Sequence, residues 1–479
     1  MSEDKKRFAA LRDNKKLFAY ALGSKKHIDK VVNGWSSEDG QEDISAADLT
    51  VDGQDFSHHS ALSETLNQSV EFSLSQFQII LLLSALEIGI SQGFVKATIF
   101  KPLEEEGTLV DEKNDYKIFE VTDELYEKLD ANDEKSKIMR KGASKITPSV
   151  FMGMIATFDA LIVDIVGKLI KLNPERYASA DKAIPLDKII GANSVDEIVQ
   201  SFISDELFRF SRESHEVQTS YIEKNFSISI IDRWKRWPDF IEIFERRNLV
   251  AHGESKFNQR YAQICDKHGH KGSVDIVGTE IKIELEYLIQ SLDVLCEYAI
   301  LLSFSLWRKL VTEKEAEAFE TLNEAAYKLI KSERFTLAQR ILEFALSLKG
   351  TSVTEEIRKM MVVNRASASK SSQSAEVCNK ILEDEDWSAC SLEFKISVAA
   401  LKEDVDGVSA LVSSAKQSGF DISNFRLWPV FRFMRNSDKL NDEIEKHYGT
   451  RISKVAKLVT KEDQSGVIEH VEAEDDTVH

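Results

Sequence analysis

The chain has 479 residues, of which 42% are hydrophobic and 30% are charged, and its formal net charge is −19. These values indicate a globular protein of two to four domains. They exclude broad, non-specific binding to nucleic acid, because a strongly acidic surface repels phosphate.

The numbers of prolines, glycines and cysteines indicate the fold class and the cellular compartment. Only six prolines and 20 glycines interrupt the chain, which favours long helices and a mainly α fold. Four scattered cysteines and a charged N-terminus predict a cytoplasmic protein with reduced thiols. We expect no membrane-spanning helix, because each long apolar run carries charged residues. These runs cover residues 77–90, 150–172 and 292–307.

Residues 1–144 are interpreted as a small helical or mixed N-terminal module. Residues 1–35 have a weak helical pattern. Residues 35–70 are rich in Ser, Asp, Glu and Gly, which predicts a loop or linker. An apolar helix is then expected from about Phe72 to Phe94.

A small hairpin is expected between this helix and the next module. Residues 97–100 and residues 116–121 have the composition of short strands, and polar residues with a glycine lie between them. The charged residues that follow lead to Pro148.

Residues 145–312 have the pattern of a helical bundle. Apolar residues recur at steps of three and four from Phe151 to Leu169, after Pro148 in the first turn. Gly253 stands where a glycine often ends a helix. Further helices with short joins are predicted at 195–210, 213–224, 238–251 and 281–310.

Residues 313–450 are predicted to form helical hairpins. Small residues such as Ala326, Ala338 and Ala345 alternate with large ones, as closely packed helix pairs require. The segment resembles tetratricopeptide (TPR) repeats, without a strict 34-residue period. Residues 451–479 are expected to be an acidic, disordered tail.

The helix predicted at 238–251 ends in a cluster of polar residues. Arg246, Arg247 and Asn248 follow an apolar face, and His252 stands at the helix end. Asn248 and His252 are four residues apart and share a face if the helix persists. Arg247 lies one helical step from Asn248, and its long side chain reaches across. The three groups are predicted to converge on one phosphate.

The pattern Arg247-Asn-x-x-x-His252, with a polar residue directly after the arginine, resembles the signature of HEPN domains (higher eukaryote and prokaryote nucleotide-binding). The predicted helices before and after the motif fit the bundle of that family. Residues 258–261 look like the segment that often follows the motif in bacterial members. The resemblance covers roughly residues 145–310.

This resemblance implies a metal-independent endoribonuclease that needs no cofactor and leaves 2′,3′-cyclic phosphate ends. It implies a homodimer formed through the bundle, with both motifs facing one cleft. His252 would be the general acid or base, Arg247 the phosphate clamp and Asn248 the orienting group. The chemistry is reasonable because RNA carries its own nucleophile, the 2′-hydroxyl. Bacterial proteins of this kind usually serve as toxins or antiphage effectors, and we expect such a role here.

A local excess of basic residues agrees with an RNA substrate. Seven basic residues oppose four acidic ones between Arg233 and Arg260. For Trp234 we weigh base stacking against a place in the core, which is more common for such a residue. The residues predicted to bind RNA are Arg246, Arg233, Lys235, Arg236 and Trp234.

Alternative interpretations stay open. Cys265, His268 and His270 supply three metal ligands at an unusual spacing with no obvious fourth, so no metal site is predicted. A histidine such as His252 is also favourable at a helix C-terminus without any catalytic role. In that case the bundle would be a non-catalytic scaffold that binds RNA, nucleotide or protein. Under either interpretation the C-terminal repeats are expected to dock a protein partner.

Overall fold

The computed structural model describes residues 7–14, 17–24, 58–113, 116–172, 184 and 186–452. These residues are predominantly helical, which confirms the predicted mainly α fold class. The predicted acidic tail lies outside the described residues from position 453 onward.

Two strands near the N-terminus form an antiparallel hairpin, β1 (Arg7–Asn14) and β2 (Leu17–Ser24). The expectation of a helix in this segment is therefore wrong. Phe18, Tyr20 and Leu22 alternate with smaller residues, and this period of two suits a strand.

A continuous helical stretch runs from position 58 to position 106. The linker predicted at 35–70 is therefore wrong from position 58 onward. Leu62, Leu66 and Val70 recur every four residues and are buried, a periodicity obscured by the polar residues between them. The stretch consists of α1 (His58–Ile88), π-helical segments at Gly89–Gly93 and Lys96–Phe100, and α2 (Lys101–Glu106).

A short hairpin of β3 (Thr108–Lys113) and β4 (Tyr116–Glu120) follows, and α3 (Asp123–Ala143) comes next. The predicted hairpin is confirmed, but its first strand was placed too early. Residues 97–100 continue the helix, and the backbone becomes extended only at Gly107, with φ −84° and ψ 150°.

The central bundle is built around an aromatic core, and α1 packs along its first and last helices. The rings of Phe72, Phe240, Phe244 and Tyr298 surround Phe158 at centroid distances of 5.9 to 6.1 Å. The predicted helices are confirmed with ends shifted by a few residues. The helices are α4 (Ile146–Leu172), α5 (Leu186–Gly191), α6 (Val195–Arg212), α7 (His215–Phe226), α8 (Trp237–Ala251), α9 (Gln259–Lys267) and α10 (Leu285–Leu310).

The C-terminal part consists of helices that pack as successive hairpins, as the sequence predicts. One apolar core joins the bundle to the first of them and reaches Ala368, and a second core begins at Val362. The helices are α11 (Glu315–Lys331), α12 (Phe335–Ser347), α13 (Glu355–Ser372), α14 (Ala375–Glu383), α15 (Leu392–Leu401), α16 (Val405–Gln417), α17 (Ile422–Leu427) and α18 (Asp438–Tyr448).

Three helical stretches are long and apolar enough to cross a membrane by length and composition alone: Ala61–Ile88, Asp123–Leu172 and Leu285–Leu310. The expectation that no helix has this character is therefore not confirmed. Of an apolar 18-residue segment within the third stretch, 78% is buried inside the protein, and this stretch forms part of the core, whereas 28% of such a segment in the first stretch is buried.

Candidate active site

Helix α8 carries the motif and is anchored by its apolar face. Pro238 lies in its first turn, and Phe240 stacks on Tyr298 with ring centroids 4.4 Å apart. The helix ends at Ala251, and Gly253 then adopts a left-handed conformation with φ +73°. The amide of Gly253 donates to Val250 and that of Glu254 to Leu249, at 3.1 and 3.0 Å. This Schellman turn confirms the predicted glycine stop and fixes His252 at the helix end.

Asn248 and His252 lie one helical turn apart at this end. The backbone amide of His252 donates to the carbonyl of Asn248 at 3.0 Å, so the helical geometry persists between them and places both side chains on one face. His252 is exposed and Asn248 is half-buried. Neither side chain makes a hydrogen bond to another described residue, so both groups are free to meet a ligand.

Arg247 is held loosely beside Asp159 of α4. Its Nη2 atom lies 4.0 Å from the Oδ2 atom of Asp159, and 29% of its side chain is exposed. Its Nε atom is buried and has no hydrogen-bond partner among the described residues. Because the ion pair with Asp159 is long and the side chain is partly exposed, the terminal amino groups of the guanidinium can still bind a phosphate.

His215 is a site residue that the sequence analysis missed. Its Nε2 atom lies 2.8 Å from the Oδ1 atom of Asp159, and its ring stacks on Phe244 with centroids 3.3 Å apart. Burial lowers the pKa of His215, although Asp159 opposes the shift. The imidazole is therefore kept neutral near pH 7. No local signal marks His215, because it begins α7 and meets Asp159 only through the packing of α7 on α4.

Arg260 and Glu245 add charge beside Arg247. Burial raises the pKa of the Glu245 carboxyl, and the charges of Arg260, Arg247 and His268 oppose the shift. These cations therefore lie within electrostatic reach of one half-buried carboxylate. Arg260 is exposed and belongs to the segment 258–261 that the HEPN resemblance includes.

Arg246, predicted as an RNA contact, is directed into the protein. Its Nε donates to the buried carboxylate of Glu242 at 2.7 Å, and its guanidinium lies 3.7 Å from the ring centroid of Tyr287. Tyr261 and Tyr287 also donate to Glu242, at 2.5 and 2.8 Å. The two neighbouring arginines thus differ in role, since Arg246 joins a buried network and Arg247 stays half-exposed.

The other predicted RNA contacts are divided between surface and interior. Arg233 and Lys235 are exposed. The Nε atom of Arg236 donates a hydrogen bond to the Oδ2 atom of Asp239 at 2.7 Å. Trp234 is buried between aromatic rings and donates from Nε1 to Glu297 at 2.7 Å. Its ring is therefore not presented to a base, and Trp234 takes the core position that was the alternative interpretation.

The three residues weighed as metal ligands have separate partners. Burial raises the pKa of the Cys265 thiol to about 12. His268 lies 3.3 Å from Glu216, and His270 pairs with Ser273 at 2.6 Å. Among the described residues no group of three or more His, Cys, Asp and Glu side chains is arranged to hold a metal ion.

Comparison of the chain with protein-family models, with curated proteins and with solved structures gives no match. The HEPN and TPR resemblances therefore stay predictions that depend on the motif, the helix order and the geometry of the site.

Proposed function

We propose that this protein is a metal-independent endoribonuclease of HEPN type that acts as a cytoplasmic homodimer. The observation that carries the proposal is the arrangement at the end of α8. Asn248 and His252 share one accessible face there, and Arg247, which directly precedes Asn248, has a partly exposed side chain in a long ion pair with Asp159.

The proposed reaction uses only RNA and side chains. His252 accepts the proton of the 2′-hydroxyl as the general base. The 2′-oxygen then forms a bond to phosphorus while the bond to the 5′-oxygen breaks, and the 5′-oxygen takes a proton from solvent. Arg247 binds the phosphate and offsets its developing charge, and Asn248 orients it. The products carry a 2′,3′-cyclic phosphate and a 5′-hydroxyl.

The openness of the site supports a macromolecular substrate. The exposed residues at 251–256 continue the surface around His252, whereas small-molecule sites are usually enclosed. Asp159, which is itself held by His215, positions Arg247 within this surface, and exposed Arg233 and Lys235 supply further phosphate contacts. On this view the protein serves as a toxin or antiphage effector.

A cavity in the C-terminal hairpins supports a protein partner there. It has a volume of about 620 Å³ and is lined by helices α11, α13 and α15. Tyr327, Phe394 and Trp428 supply aromatic surface, and charges of both signs come from two lysines and three glutamates: Lys328, Lys331, Glu324, Glu356 and Glu393. These features are typical of surfaces that bind peptides.

A non-catalytic scaffold is the second candidate. The observation that favours it is that Arg246, Arg236 and Trp234 are engaged internally, which leaves fewer groups for RNA than the sequence predicts. A scaffold would bind RNA, nucleotide or protein through the same bundle without cleaving it.

The test is incubation of purified protein with total RNA in EDTA. We expect cleavage by the wild type, with cyclic phosphate ends, and no cleavage by His252→Ala or Arg247→Ala. His447→Ala is the matched control, because His447 lies on α18 and pairs with Glu443. RNA binding without cleavage by the wild type would favour the scaffold. Equal cleavage by all variants would refute the assigned site.

A further inference from the structure

The helical stretch that begins with α1 exposes a large apolar face. Its members are large side chains that are 40 to 69% exposed on a helix whose other side packs on the bundle. Exposed groups of this size rarely cluster on a monomer without a function. We call them the α1 apolar face: Ile79, Leu81, Leu82, Leu86, Ile88 and Phe100.

This face carries no charge. From Phe72 to Val95 the only ionisable side chain is Glu87, and it accepts a hydrogen bond from Thr147 of α4. This part of the stretch therefore has no lysine or arginine to attract an anionic lipid surface, and the first lysines, Lys96 and Lys101, stand at its end beside Phe100. Two identical copies of an uncharged face can also meet without repulsion between like charges.

Small residues line the same part of the stretch at every fourth position: Ala85, Gly89, Gly93 and Ala97. A Cβ atom built on Gly89 or Gly93 would meet nothing within 4 Å. The protomer's own packing therefore does not require glycine there, although each costs a helix about 1 kcal/mol relative to alanine. A shallow channel bordered by large apolar side chains is what a second helix needs to pack closely.

The size of the face suits a second copy of the chain. Large apolar side chains carry on the order of 150–200 Å² each when fully exposed. Six of them at these exposures present roughly 500 Å². The small residues and glutamines between them bring the area toward the roughly 800 Å² that each partner buries in a stable complex. A two-fold axis would use the face on both copies at once.

We propose that two copies of this protein pair through the α1 apolar face, with the helices crossing at Gly89 and Gly93. The inference rests on the homodimer of the proposed function. It assigns the pairing surface to α1, which lies outside residues 145–310, in place of the pairing through the bundle that the HEPN resemblance implies. Its test is oligomeric state, measured without RNA, so failure of the nuclease and failure of the interface are distinguishable.

The decisive variant is Gly89→Leu/Gly93→Leu in the full chain. Both side chains would project into open space within the protomer, so folding should persist and the thermal midpoint should not fall. They would fill the channel between copies. We expect light scattering after size exclusion to give a dimer for the wild type and a monomer for this variant. Leu82→Glu should act in the same way by placing like charges opposite each other.

Two controls lie on α5, outside the face. Ile190 is 75% exposed, and a Cβ on Gly191 also meets nothing within 4 Å. Ile190→Glu and Gly191→Leu should therefore stay dimeric. A wild type that is monomeric across the concentration range would overturn the proposal. So would a folded, dimeric Gly89→Leu/Gly93→Leu variant, or a monomer that binds phosphatidylcholine vesicles through this face.

Discussion

The Nε2 atom of His215 lies 2.8 Å from the Oδ1 atom of Asp159, and the other oxygen of that carboxylate lies 4.0 Å from Arg247. One carboxylate therefore faces a buried imidazole and a half-exposed guanidinium. This arrangement orients Arg247 without occupying all its donors. A phosphate that approached Arg247 would compete with Asp159.

Asp159→Asn should strengthen RNA binding. The variant removes the competing charge, and an asparagine oxygen can still accept a hydrogen bond from His215. In a His252→Ala background we expect the Kd for a short single-stranded RNA to fall about two- to fivefold, as for loss of an exposed ion pair. Fluorescence anisotropy at fixed salt measures it. The effect should vanish when Arg247→Ala is added, and an effect that persists would show that Asp159 acts elsewhere.

His215→Gln should change how stability depends on pH. Burial lowers the pKa of His215, so the unfolded chain binds this proton more readily than the folded one. The stability that neutral His215 contributes is complete above about pH 6.5, its ordinary pKa, and is lost as pH falls below that value. We expect wild type to lose more stability than the variant between pH 7 and pH 5 in urea denaturation. Parallel profiles would contradict the assignment.

Glu297→Gln should change the pH dependence of stability in the opposite direction to His215→Gln. Burial raises the pKa of Glu297 to about 7. The folded protein therefore binds this proton more tightly, and the stability it contributes is lost as pH rises from about 4.5 to 7. On the order of 3 kcal/mol is involved, and glutamine can still accept from Trp234. The free energy of unfolding of the variant, measured relative to that of the wild type, should therefore be higher at pH 8 than at pH 5. A constant difference would place the titration in another group.

Substitution of the two neighbouring arginines of α8 should lower the stability of the protein by different amounts. Arg246→Ala leaves the carboxylate of Glu242 buried with only tyrosine donors, which typically costs about 3 kcal/mol. Arg247→Ala should cost less than about 1 kcal/mol, because its ion pair is long and partly exposed. Tryptophan fluorescence during urea unfolding compares the two. Equal losses, or a larger loss for Arg247, would reverse the assigned roles.

Periodicity and helix-stop chemistry were enough to predict most of the bundle. The apolar steps from Phe151 to Leu169 and the glycine after His252 correspond to α4 and to the Schellman turn. The N-terminal errors arose where the signal was weak. Residues 58–70 are polar enough to resemble a linker, and of the first two strands only β2 has a clear alternation, because the apolar residues of β1 are consecutive.

The site was only partly predictable for a different reason. For residues on one helix, such as Asn248 and His252, the spacing in the sequence fixes the relative positions of the side chains. The partner of Arg247, Asp159, comes from α4, 88 positions away, and His215, which holds Asp159, comes from α7, 32 positions from Arg247, so only packing brings them together. The direction of adjacent Arg246 is set by buried Glu242 and Tyr287, which spacing alone does not reveal.

Helix α13 contributes to both apolar cores from different faces. Ile357 and Met361 belong to the core that the bundle shares with α11 and α12, whereas Val362 and Ala366 pack with the later hairpins. A chimera junction before α13 would strip apolar cover from α11 and α12, which continue the core of the bundle. A junction after α13 would instead leave the face of α13 that carries Val362 and Ala366 without neighbours. Exchange of these hairpins between proteins therefore requires α11 to α13 to travel with the bundle and the incoming hairpin to match the outer face of α13.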